Sequence, residues 1–134
     1  MTDPEVLVIG AGPAGLTAAT YLGRFRRDTL VVDGGEPRAS WIPVSHNMPG
    51  FPAGISGADI LKRMREQARE YGAVVTAGRV AELAKEGQGF VARIDGRSVR
   101  ARAVLLATGV VDRHPDLKGV ERAVQRSLVR ICPI

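Results

Sequence analysis

The chain carries one cysteine, Cys132, among 134 residues. A lone thiol excludes an internal disulfide framework and a cysteine-rich zinc site. Histidine is almost as scarce, and neither His46 nor His114 sits in a cluster with metal-ligand spacing, so no metal is assigned. Aromatic residues make up 4% of the chain. No apolar run approaches the roughly 18 residues that a membrane helix needs. The acidic opening Met1-Thr2-Asp3-Pro4-Glu5 is no secretory signal. Ser40, Ser45 and Ser56 lie in no Gly-x-Ser-x-Gly elbow, which leaves a hydrolase triad without support. The expectation is a soluble, cytoplasmic protein whose length can bury a core without staples.

Charge, by contrast, is plentiful and biased. The net charge is +5, and 16 of the 19 basic residues are arginine. They are scattered, and the densest group, Lys62, Arg63, Arg65 and Arg69, shares its stretch with Asp59, Glu66 and Glu70. Alternating signs with few aromatics read as a solvated helix face, not as a nucleic-acid surface.

Periodicity outlines the elements. Residues 5–9 are apolar on both faces, which suits a central parallel strand. A glycine-rich turn follows, then a helix ending near Arg24 to Arg27, whose cations suit a helix C-terminus. Residues 29–33 form a second strand, completing a βαβ unit. The segment 34–57 holds five glycines and four prolines without sustained period, the mark of a long functional loop. Residues 57–71 predict an amphipathic helix with Ile60, Leu61, Met64 and Ala68 on one face, Ser56 as cap and Gly72 as stop. Three β-prone segments come next, 73–77 with an extension around Val80, 90–94 and 98–102, with Asp95-Gly96 a strong hairpin signal. Residues 103–107 are a further buried strand, halted by Thr108-Gly109.

The chemistry concentrates in Gly10-x-Gly12-x-x-Gly15. This spacing alone is weak, but here it follows a strand, opens a helix through Pro13 and Ala14, and precedes an acid at the end of the next strand. Gly10 permits the tight turn, Gly12 admits a pyrophosphate to the backbone, and Gly15 allows close packing of helix on sheet. The helix N-terminus offers unpaired N–H groups to phosphate. Asp33, 18 residues beyond Gly15, is placed to accept ribose hydroxyls.

The wording Gly-Ala-Gly-Pro-Ala-Gly-Leu, with several segments downstream, resembles the flavin domain of the thioredoxin reductase-like family, FAD-dependent pyridine nucleotide–disulfide oxidoreductases. Val32-Asp33-Gly34-Gly35-Glu36-Pro37-Arg38 is similar to that family's second-strand end, where an acid, often Glu, takes the adenosine ribose. Asn47 in Ser45-His46-Asn47-Met48-Pro49-Gly50 matches an Asn-x-Pro-Gly loop on the flavin and ribityl side. Val80 in Gly78-Arg79-Val80 matches a contact to the adenine. Ala107-Thr108-Gly109 resembles the second FAD fingerprint. The resemblance implies an α/β, Rossmann-like three-layer ββα FAD-binding domain. Its parallel central sheet would carry the three β-prone segments as a small antiparallel meander.

Further expectations follow from that resemblance. Residues 1–115 would be the N-terminal part of a discontinuous FAD-binding domain, and 116–134 a linker toward a second nucleotide-binding domain for NADPH. Arg130-Ile131-Cys132-Pro133-Ile134 resembles the start of a Cys-x-x-Cys redox pair, making Cys132 a candidate catalytic thiol beside the plainer reading of a free cysteine. Electrons would pass from NADPH through FAD to a disulfide in a protein or small-molecule acceptor, with a homodimer as a possible assembly. The alternative is a dinucleotide-binding module or fragment without turnover. In the long loop, Phe51 is expected in the core, while Trp41 is open between a core plug and a wall for the flavin edge.

Overall fold

A computed structural model describes residues 3–113 and 115–129. The order of elements is β1 (Val6–Ile9), α1 (Pro13–Arg24), β2 (Thr29–Asp33), a 3₁₀ turn (Arg38–Trp41), α2 (Gly57–Glu70), β3 (Val74–Ala77), β4 (Val80–Glu86), β5 (Gly89–Ile94), β6 (Arg97–Ala101), β7 (Ala103–Leu106) and α3 (Val120–Gln125).

Four strands form a parallel sheet in the order β3-β2-β1-β7, and β4-β5-β6 form a separate antiparallel sheet. The central strand β1 is flanked on both sides, Val6 lying opposite Thr29 of β2 and opposite Ala103 of β7. Its side chains alternate between two cores, as a strand's period of two requires. Val8 and Val31 point to the helical side, among Leu16, Ala19, Leu61 and Ala68. Leu7, Leu30 and Val32 point to the other side, against Ala92, Ile94 and Ala101 of the antiparallel sheet. Helices, parallel sheet and meander are therefore three layers, and the fold is the α/β class expected.

The three β-prone segments are divided differently from the expectation. Residues 74–77 do not join the meander; β3 pairs in parallel with β2, Asp33 opposite Ala77. The break is at Gly78, whose φ of +157° lies where side chains are rarely tolerated. Beyond it Val80 opens β4, so the meander is built from 80–86, 89–94 and 97–101. The Asp95-Gly96 turn is the one anticipated: both residues have positive φ, 46° and 81°, and they join β5 to β6.

Helix α2 keeps its expected limits. The Ser56 hydroxyl accepts the Asp59 backbone N–H at 3.0 Å, and Gly72, φ +89°, lies just past the C-terminus. The long loop gains structure from the 3₁₀ turn and from an antiparallel bridge between Ser45 and Ile55. Phe51 is not a core residue: it is half-buried, with the Arg63 guanidinium over its ring at 5.3 Å. Trp41 is half-buried and borders a shallow depression with Ser40, Pro43 and Gln125.

Candidate functional site

The site lies at the C-terminal ends of the parallel strands, where open α/β sheets form a crevice. Strand β1 ends in Ile9 and the chain turns through Gly10, φ +112°, into α1. A Cβ on Gly10 would sit 2.2 Å from the Ala107 carbonyl oxygen. The Ala107 N–H in turn donates to the Ile9 carbonyl at 2.9 Å. The first and last motifs of the sequence, Gly10-x-Gly12-x-x-Gly15 and Ala107-Thr108-Gly109, are thus brought into backbone contact. At Gly15 a Cβ would approach the Gly10 oxygen to 1.9 Å, so this glycine lets the helix fold back on its own turn.

Gly12 differs from both. It is the N-cap of α1 with extended backbone, φ −75° and ψ −178°, which any residue can adopt. Among the described residues, a Cβ there meets nothing within 4 Å. No side chain among the described residues caps α1, and its first turn holds no acidic residue. The first N–H groups of α1 have no intrahelical acceptor, Pro13 occupies the position where a missing N–H costs least, and Pro13 and Ala14 are exposed. A helix end without a side-chain cap, with positive dipole and no carboxylate in its own first turn, fits an anionic diphosphate.

Asp33 closes β2 beside this turn, and its side chain is 15% exposed. Its Oδ1 accepts the Gly35 N–H at 2.9 Å, and its Oδ2 is held by an Arg65 guanidinium N–H from α2. Its backbone carbonyl accepts the Gly78 N–H at 2.9 Å, which brings Gly78-Arg79-Val80 to the same edge. Val80 itself is half-buried and packs against the meander-side core. Gly34 is exposed.

Other residues stand apart. Asn47 is exposed, and its described hydrogen bond is local, its Oδ1 accepting the Ser45 hydroxyl at 2.6 Å. The described contacts do not join it to the glycine turn. The ring of His46 lies against Gly54 of its own loop. Thr108 and Gly109 are exposed beyond β7. Cys132 and His114 lie outside the described residues.

Two arginines near the crevice escaped the sequence reading. Arg65, grouped there with a solvated face, is half-buried on Asp33, whereas Lys62, Arg63 and Arg69 are exposed as expected. Helical phase carried the signal, because Arg65 follows Leu61 by four and precedes Ala68 by three, and both of those are buried. Arg38, in the 3₁₀ turn, pairs through Nε with Asp112 at 2.5 Å. That contact ties the loop after β2 to the loop after β7, and no local pattern foretells a partner 74 residues away.

A glycine turn between a buried parallel strand and a helix, with an acid ending the neighbouring strand and a meander on the sheet's other face, marks the Rossmann-like, three-layer ββα class of α/β domain. More narrowly, the chain belongs to the pyridine nucleotide-disulphide oxidoreductase family, whose model matches residues 4–132. It is similar to the thioredoxin reductase of Aquifex aeolicus, 38% identical over 128 residues that make up 92% of this chain and 39% of that protein. It also matches the bifunctional thioredoxin reductase/thioredoxin of Mycobacterium leprae, at 35% identity over 95% of this chain and 28% of that one. Among solved structures, the thioredoxin reductase of Streptococcus pyogenes superposes with a TM-score of 0.85 at 28% identity, covering 90% of this chain and 40% of that one. That of Giardia duodenalis gives 0.87 at 26% identity, over 93% and 41%. The chain thus spans 39% or less of the length of these two curated relatives. It is a thioredoxin reductase-like oxidoreductase domain. No helix among its described residues is long and apolar enough to cross a membrane.

Proposed function

We propose that this chain holds FAD as the flavin-binding part of an NAD(P)H-dependent, thioredoxin reductase-like oxidoreductase. The observation that carries the reading is Gly12, a helix-capping position with ordinary backbone angles and open space where a side chain would be. Nothing among the described residues requires glycine there, whereas a close-approaching diphosphate does.

The remaining residues take roles consistent with that placement. Gly10, Pro13, Ala14 and Gly15 shape the turn that receives the pyrophosphate. Asp33 accepts the adenosine ribose hydroxyls beside Gly34, and Val80 lines the adenine side. Ala107 and Thr108, packed on Gly10, and Gly109 after them keep the wall of the site thin on the opposite flank. Asn47 is assigned to the flavin and ribityl side from its loop motif. When bound, the flavin supplies two-electron chemistry between NAD(P)H and a disulfide, while the protein positions it. Cys132 is the candidate thiol for the disulfide side, toward a protein or small-molecule acceptor.

Titrating the purified chain with FAD and then adding NADPH without oxygen tests this directly. Saturable binding with a perturbed flavin spectrum is expected. Bleaching by NADPH would establish turnover of the first half-reaction, and binding without bleaching would make the chain a flavin-holding module. A chain that leaves the FAD spectrum unchanged at every concentration would contradict the reading.

A further inference from the structure

Arg65 occupies a position that core packing would give to an apolar residue. It shares a face of α2 with Leu61 and Ala68, which are 6% and 0% exposed. Its own side chain is 31% exposed, and its Nε is buried without a hydrogen-bond acceptor among the described residues. An inward guanidinium with an unsatisfied donor is costly to the fold. Local rules are broken in this way chiefly at functional sites. What the arginine gains is Asp33, whose Oδ2 it holds while the Gly35 N–H holds Oδ1.

Resting on the FAD reading, we infer that Arg65 is the positioning residue of the adenosine end. A carboxylate offers about four lone-pair sites. Pinning each oxygen of Asp33 once fixes its plane and leaves acceptors free for a ribose diol. The cation also offsets Asp33's negative charge, which would otherwise repel the diphosphate of the same ligand. Lysine is no equivalent, because its ammonium lacks the planar fork that orients a carboxylate.

The test compares ligands that do and do not contain the adenosine half. Dissociation constants of the full chain for FAD, ADP and FMN are measured for the natural protein, Arg65→Gln and Arg65→Lys. Arg65→Gln is expected to weaken FAD and ADP by about tenfold and to leave FMN unchanged, with Arg65→Lys in between. Should Arg65→Gln not fold, the same adenosine-specific loss in Arg65→Lys supports the assignment. Equal weakening of FAD and FMN would show a merely structural arginine and overturn it. Unchanged or tighter FAD and ADP binding would overturn it as well. A natural chain that binds ADP but not FAD would defeat the FAD reading while the ADP comparison still judges Arg65. A chain that binds none of the three defeats both.

Discussion

An added Cβ would strike the Ala107 carbonyl at Gly10 and the Gly10 carbonyl at Gly15, whereas at Gly12 it would meet nothing among the described residues within 4 Å. The three glycines of one motif therefore answer to different forces. Gly10 and Gly15 serve the fold, whereas no described contact requires a glycine at Gly12. Gly15→Ala forces its new methyl against backbone, which cannot swing aside as a side chain does. Overpacking of this kind costs about 1–3 kcal/mol, so the urea midpoint should fall measurably in the absence of any ligand. An unchanged midpoint would mean that the helix does not fold back on its turn as described. The role of Gly15, close helix packing, was readable from the motif in its strand–turn–helix context. The partner of Gly10 was not, because Ala107 is 97 positions further along the chain and only the sheet order β1-β7 brings it near.

Among the elements, α2 illustrates how much a pattern can state. Its limits, cap and buried row were evident, since Ser56, Asp59 and the apolar spacing are local facts. Ser56→Ala removes the acceptor for the Asp59 N–H and is expected to cost about 1 kcal/mol, read as a lowered thermal midpoint. No change in that midpoint would show the cap to be idle. What composition hid was Arg65, because counting charges in a segment does not say which of them turns inward. The β3–β4 boundary was missed for a related reason. Residues 73–80 have strand character throughout, and a run of β-prone residues does not reveal that Gly78 redirects it from one sheet to the other.

At the scale of the molecule, the parallel sheet is shielded by helices on one face and by the meander on the other, and Gly10, Asp33 and Ala107 lie together at its C-terminal strand ends. The α/β class and the glycine turn from strand to helix were legible because a buried strand, a glycine motif and a following acid are contiguous in sequence. The ion pairs that frame the crevice were not, since Arg38–Asp112 and Arg65–Asp33 join loops and elements brought together only by folding. The central claim, that the space before α1 is kept for a dinucleotide, separates binding from stability at one position. Gly12→Asp introduces a side chain where there is room and a favourable N-cap, so the ligand-free melting temperature should stay within about a degree. The same carboxylate would face the diphosphate, and FAD affinity should fall by about a hundredfold or more. Measuring both on one preparation decides the matter: an intact fold with lost FAD binding is predicted, and an intact fold with undiminished FAD affinity would contradict the account.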